Sequence, residues 1–166
     1  MEVKFNEEEI VDIFNYVKQL PATESNSLYN PITRDYKFRT LRISTDTKWV
    51  FDRMYKAFYS LTGIEVKKPV SEIYIHNYTT GSYFLKHTDV PTKIWNIGAS
   101  LNDDYEGGDF IVYNPYTVLP RERGSIYCFE SQKEHEVLPI TSGERWSMIL
   151  FLEQGHIGKN KPTQLM

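Results

Sequence analysis

Apolar residues recur at Ile10, Ile13, Phe14 and Val17 within an otherwise polar stretch. That spacing predicts an amphipathic helix over 6–20. Asn6 stands where a cap is needed, Glu9 three residues later completes a capping-box pair, and Pro21 ends the run. Residues 21–37 are rich in Asn, Ser, Pro and Thr and read as a surface loop. From Tyr36 to Ser44 apolar and polar residues alternate, as in an edge strand. A second helix is expected from Thr45 or Asp46 to about Thr62. Val50, Met54, Phe58 and Leu61 share one of its faces, and Gly63 marks its end. Each helix has a single apolar stripe, so both are expected to pack on the outside of a sheet and close one face of it.

After Glu65 the period shortens to that of strands, expected at 71–78, 83–88, 94–101, 109–113, 124–129, 135–140 and 146–153. Turn residues separate them, among them Thr79-Thr-Gly81, Asn102-Asp-Asp104, Gly107-Gly108, Asn114-Pro115 and Ser142-Gly143. Short strands at this spacing point to a mainly β fold with flanking helices, a double-sheet jelly roll or barrel. A length of 166 residues predicts one domain over 1–166, with 1–64 as helical support and 65–154 as the core. The tail from Gly155 to Met166 reads as peripheral.

Composition narrows the class. Hydrophobic residues make up 40% and charged residues 25%, which excludes a disordered chain, and twelve tyrosines suit pleated surfaces. The net charge is −3 and no basic run occurs, which argues against a nucleic-acid partner. Cys128 is the lone cysteine, so no internal disulfide forms, and its apolar setting reads as a buried small residue. No apolar run could span a membrane, and the acidic N-terminus is unlike a signal peptide. A reducing cytosol is the expected location.

The candidate chemistry centres on His87-Thr-Asp89. Side chains two apart on a strand face one side, so this imidazole and carboxylate point the same way. With a second histidine they would make a two-histidine, one-carboxylate facial triad, a set suited to Fe(II). His135 can fill that place, or it is a surface histidine between Glu134 and Glu136. Arg145 opens an apolar strand, and Ser147 shares its face. Its guanidinium either points inward toward a carboxylate ligand or pairs at the surface with Glu144 or Glu153. Tyr74, His76 and Tyr78 alternate with Ile73, Ile75 and Asn77, and either set can face the interior.

In order along the chain stand Ile75-His-Asn-Tyr78-Thr-Thr-Gly81, His87-Thr-Asp89, and Ser100-Leu-Asn-Asp-Asp-Tyr-Glu-Gly-Gly-Asp-Phe110. Arg123-Gly-Ser125, His135-Glu-Val-Leu-Pro139 and Thr141-Ser-Gly-Glu-Arg-Trp-Ser147 follow. Taken together, residues 71–152 resemble the 2-oxoglutarate- and Fe(II)-dependent dioxygenase superfamily, in its prolyl 4-hydroxylase-like branch. The resemblance implies a double-stranded β-helix with helices packed on one sheet. It implies His87, Asp89 and His135 as iron ligands. Arg145, Ser147 and Tyr78 would hold 2-oxoglutarate, and O2 would be the second substrate. It also turns Tyr74, His76 and Tyr78 inward.

Ser100 stands where some members of that family carry a tyrosine that helps hold the co-substrate. Asp89 is present where a halogenase would have a small residue. Residues 21–37 and Val90–Trp95 are expected to cover the pocket, with Trp95 and Ser100 among its lining. The implied reaction is hydroxylation of an unactivated C–H bond with release of succinate and CO2, most simply at a prolyl residue of a peptide or protein. A free amino acid or small metabolite, nucleic-acid demethylation, and a non-catalytic jelly-roll binding module are the alternatives.

Overall fold

A computed structural model describes residues 3–24 and 33–158. In chain order the elements are α1 (Glu7–Val17), β1 (Thr23–Glu24), β2 (Thr33–Arg42), α2 (Lys48–Thr62), β3 (Glu72–His87), β4 (Lys93–Ser100) and β5 (Glu106–Gly107). There follow β6 (Phe110–Val112), β7 (Thr117–Val118), β8 (Ile126–Glu130), β9 (His135–Val137), β10 (Ile140–Ser142), β11 (Arg145–Glu153) and α3 (Gln154–Ile157). The centre of the expected 21–37 loop and the end of the expected tail lie outside the described residues. Inside them the loop is shorter than expected, because β2 begins at Thr33 and pairs with β3 from its first residue.

Both N-terminal helices form for the expected local reasons. The Asn6 side chain accepts from the Glu9 backbone N–H at 2.8 Å, and Glu9 accepts from the Asn6 N–H at 2.9 Å. Gly63 ends α2 at φ 75°, a conformation that costs glycine little. The buried face of α2 is Val50, Phe51, Met54, Ala57 and Phe58. Leu61, expected on that face, is exposed. The start of α2 also lies later than expected, with Thr47 as its cap position.

All strand pairings are antiparallel. One layer runs from β2 through the first half of β3, then β11, β4 and β8. The second half of β3 pairs with β9, which pairs with β6, and β6 with β7. The strand β3 thus joins both layers of a curled sheet, the jelly roll that the strand pattern predicts. The two strands expected at 71–78 and 83–88 are this one element. The turn expected at Thr79–Gly81 is a bulge, where Arg34 to Tyr36 on β2 faces Tyr83 to Tyr78 on β3. A bulge bends a strand without ending its pairing, and here it carries β3 from one layer to the other. The strand expected over 135–140 instead divides into β9 and β10 around Pro139, whose carbonyl accepts from the Gly108 N–H at 3.0 Å. Gly107 and Gly108 have φ near 70° (72° and 70°), and a Cβ on Gly107 would sit 2.4 Å from the Pro139 carbonyl oxygen.

The first layer is buried on both faces. Ile73, Ile75, Ile97, Ala99, Met148, Leu150 and Leu152 pack beneath α1 and α2 in one core. Tyr74, His76, Tyr78, Asn96, Ser147, Ile149 and Phe151, on the opposite parity, line a cavity between the layers. No helix among the described residues is long and apolar enough to cross a membrane.

Ile75 is fully buried in the helix-side core. Ile75→Ala is expected to lower stability by about 2–5 kcal/mol, through lost burial and the cavity left behind. Urea unfolding measures this, and a loss well under that range would mean that the helix layer contributes little to the fold.

Candidate metal and co-substrate site

His87 ends β3, and His135 begins β9 directly opposite it in the ladder. Asp89 follows β3 by two residues, with its backbone N–H donating to the Ser131 carbonyl at 3.2 Å. Asp89 Oδ1 lies 3.6 Å from His87 Nε2 and 3.4 Å from His135 Nε2. One ligand atom from each of the three residues falls within 4.8 Å of the others.

The orientation of both rings comes from the backbone. His87 Nδ1 meets the Leu85 carbonyl at 2.7 Å, and His135 Nδ1 meets the Lys133 carbonyl at 2.7 Å. A carbonyl only accepts, so each Nδ1 carries a proton and each Nε2 is turned toward Asp89, where it either donates a proton to the carboxylate or, with that proton gone, offers a lone pair to a metal. Two ring nitrogens and a carboxylate oxygen then converge on one point. Only a proton or a metal ion relieves that arrangement, and the donor set of two imidazoles and one carboxylate suits Fe(II). Asp89 Oδ2 accepts from Asn96 at 2.7 Å, and Asn96 Oδ1 in turn accepts from the buried Ser131 hydroxyl at 2.6 Å. Burial pushes the Asp89 carboxyl up, but His135, His87 and Asn96 outweigh it and hold it well below the usual carboxylate range.

Arg145 starts β11 opposite Tyr78 and is 3% exposed, so its charge lies out of water. It donates to the Ser147 hydroxyl at 3.0 Å and stands over the rings of Phe110 and Tyr78, at 5.4 Å and 5.6 Å. Among the described residues no carboxylate forms an ion pair with it, and Glu144 and Glu153 are exposed. A buried guanidinium without a counter-charge is costly. An anionic ligand in the same cavity removes the cost. That cavity measures about 410 Å³ and is bounded by the His87–Asp89–His135 cluster as well as by Arg145.

Residues 73–153 match the 2OG-Fe(II) oxygenase superfamily. The match takes in the whole cluster of His87, Asp89 and His135 together with Arg145 and Ser147. Members of that superfamily use Fe(II), 2-oxoglutarate and O2. A 2OG-Fe(II) oxygenase-family oxidoreductase from Burkholderia pseudomallei shares the fold at TM-score 0.75 and 19% identity, over 95% of this chain and 84% of the other. A Pseudomonas putida prolyl-4-hydroxylase does so at TM-score 0.66 and 16% identity, over 92% and 90%. A Trichoplax adhaerens prolyl hydroxylase, solved with a hypoxia inducible factor oxygen degradation domain peptide fragment, gives TM-score 0.73 at 13% identity, over 94% and 83%. Among curated proteins none matches the chain.

In this chain Tyr74, His76 and Tyr78 line the cavity, while Ile73 and Ile75 face the helices. Two of the expected lining residues lie elsewhere. Trp95 shares its parity on β4 with Ile97 and Ala99, so it points to the helix side, where it meets Phe58 edge-on at 5.3 Å. Ser100 is buried and donates to the Pro120 carbonyl at 2.8 Å, outside the cavity lining. Cys128 is half-buried, and burial pushes its thiol up to about 11, in keeping with an inert residue.

Tyr36, Phe38, Phe84, Phe110 and Tyr127 also line the cavity, and sequence reasoning passed over them. Each sits at an inward parity of a strand, which periodicity could have found once the inward set on β3 was known. Asn96 and Ser131 left no such signal, because their pairing is long-range. Gly98, between Asn96 and Ser100, leaves room for the Tyr127 ring, which a Cβ would approach to 2.5 Å.

Two outcomes follow from this geometry. Asn96→Ala removes the group that orients Asp89, and Fe(II) or Co(II) affinity should fall roughly 10- to 100-fold. Anaerobic metal titration checks it, and an unchanged affinity would remove Asn96 from the site. His76 is lowered to about 3 by burial and by the charges of Arg145 and Lys93. The unfolded chain therefore binds a proton near pH 6.5 that the folded chain refuses, and stability rises with pH between those values. Urea midpoints of the metal-free protein at pH 5 and 7 should differ less in His76→Gln than in the wild type. Between pH 5 and 7 Asp89 is ionised in both the folded and the unfolded chain, so it does not contribute to that difference.

Proposed function

We propose that the chain is an Fe(II)- and 2-oxoglutarate-dependent hydroxylase acting on an unactivated C–H bond, at a prolyl residue of a peptide or protein. The observation that carries this reading is the pairing within one cavity of a two-histidine, one-carboxylate cluster with a buried guanidinium that has no ion-pair partner among the described residues. In it His87, Asp89 and His135 hold the iron. Arg145, supported by the Ser147 hydroxyl and by Tyr78, takes the distal carboxylate of 2-oxoglutarate.

Iron, co-substrate and O2 supply the oxidation when bound, with succinate and CO2 released and one oxygen atom delivered to the C–H carbon. The contribution of the chain is placement and environment. The Leu85 and Lys133 carbonyls keep both histidine rings turned toward Asp89. Arg145 orients a dianion by charge at a site without bulk water, where that charge acts strongly. Apolar walls from Phe110, Tyr127 and Ile149 exclude water between the two ends. Burial pushes the Tyr78 and Tyr127 hydroxyls up, so both stay protonated and can donate.

A prolyl substrate is favoured by likeness in fold to proteins named prolyl hydroxylases and by the apolar ring-lined mouth of Tyr36, Phe38 and Phe84. The acidic net charge of −3 weighs against a nucleic-acid substrate.

The test is anaerobic addition of 2-oxoglutarate to the Fe(II)-loaded protein, followed by its visible charge-transfer band. The wild type should develop the band. Arg145→Met should bind 2-oxoglutarate roughly 30-fold or more weakly, the equivalent of about 2 kcal/mol for truncating one side of a buried charge pair. Folded, iron-loaded wild type without the band would overturn the reading. Prolyl peptides that gain one oxygen atom, with matching succinate, would establish the substrate class.

A further inference from the structure

Lys93 is the second cation of the cavity, and the co-substrate site leaves it without a role. It opens β4, with its backbone N–H on the Val90 carbonyl at 3.0 Å and its carbonyl accepting from Gln132 at 3.1 Å. Its side chain is half-buried and lies along the wall, with Nζ 3.5 Å from the centre of the Phe151 ring. An exposed lysine normally extends its ammonium into water. This one is held against an aromatic face by a cation–π contact, which positions the charge without neutralising it.

Among the described residues no carboxylate forms a hydrogen bond or an ion pair with Lys93. The two nearest candidates are engaged elsewhere. Glu153, its cross-strand neighbour, caps α3 through both its side chain and its backbone N–H. Asp89 is committed to His87, His135 and Asn96. With iron and 2-oxoglutarate in place, Asp89 and one co-substrate carboxylate balance the metal, and the other carboxylate balances Arg145. The remaining acid of the lining, Glu136, accepts from the Tyr113 hydroxyl. Lys93 is left over as a fixed positive charge beside the place where a substrate must sit.

Resting on the hydroxylase reading of this same cavity, we propose that the substrate carries a carboxylate and that Lys93 is the specificity-determining residue that holds it. An ammonium presents three donors to such a group, and a charge-assisted contact in a partly desolvated site is strong enough to select an acid over its amide. The neutral ring of His76 lines the same wall, and its nitrogens have no hydrogen-bond partner among the described residues. It is free to make a second polar contact to the substrate. The carboxylate has two chemical sources, the α-carboxylate of a free amino acid or C-terminal residue, and an acidic side chain beside the oxidised residue.

The experiment uses full-length protein loaded with Fe(II) and 2-oxoglutarate without oxygen. The probes are L-proline and L-prolinamide, N-acetyl-glycyl-proline as acid and as amide, and N-acetyl-aspartyl-proline amide beside its asparaginyl counterpart. Binding is read as the shift each probe causes in the charge-transfer band, and succinate formation is then read in air. At least one acid should bind roughly 10- to 100-fold more tightly than its amide in the wild type, and the identity of that acid gives the source. Lys93→Met should lose the preference and Lys93→Glu should reject the acid, while both retain the band with 2-oxoglutarate alone. An amide equal to its acid, a preference that survives Lys93→Met, or a panel in which no acid shifts the band overturns the inference while leaving the hydroxylase reading intact. Absence of the band before any probe is added overturns both.

Discussion

A sheet buried on both faces constrains everything else in this molecule. The strands β3, β4 and β11 send alternate side chains to opposite sides. On one side the isoleucines and leucines must satisfy two helices, and on the other the same strands must furnish a chemical cavity. The outer set beneath the helices is apolar and closely packed, so it holds the register. The inner set is then free to be polar, since it is not what keeps the strands aligned. A slip of one residue would exchange the two sets, putting Arg145 under α1 and Ile75 into the cavity. The helix layer therefore maintains the geometry of groups that it never touches.

Charge is distributed in that cavity with deliberate incompleteness. Asp89 is surrounded by hydrogen-bonding partners, whereas Arg145 and Lys93 are surrounded by rings. Aromatic faces tolerate a cation but do not satisfy its hydrogen bonds. The protein thus bears a desolvation cost that an anionic occupant offsets. That asymmetry separates a binding cavity from a structural ion-pair network such as Arg53 with Glu9, where each charge already has its partner.

Much of the fold could be read from residue order because local patterns and tertiary demands agree. The Asn6–Glu9 cap, the αL stop at Gly63 and the period-two runs of β4 and β11 are local signals, and each was legible. The misreadings came where a long-range partner overrides a local cue. Thr79-Thr-Gly81 looks like a turn, yet β2 alongside keeps the strand going. Trp95 looks like part of a covering segment, yet parity on β4 sends it to Phe58. The cluster of His87, Asp89 and His135 was legible because its residue types are distinctive. Asn96 and Ser131 were not, since an amide and a hydroxyl acquire meaning only through what they meet across the roll. Strands as short as β5 and β7 offer too few residues for any period to show.

The locking of His87 and His135 onto carbonyls two residues upstream has a consequence for how this site can vary over time. Many buried histidines are oriented by a carboxylate or amide from another part of the chain, and such an arrangement fails when either residue changes. Here the orienting atoms are main-chain oxygens of Leu85 and Lys133, which every amino acid supplies. The side chains at those positions are accordingly free to drift. Leu85 is exposed, and its replacement by a residue compatible with a strand leaves the oxygen in place. Selection on ring orientation falls on the pairing of β3 with β9 as a whole, so the surrounding surface can diversify toward new substrates while the tautomer of both rings is inherited unchanged.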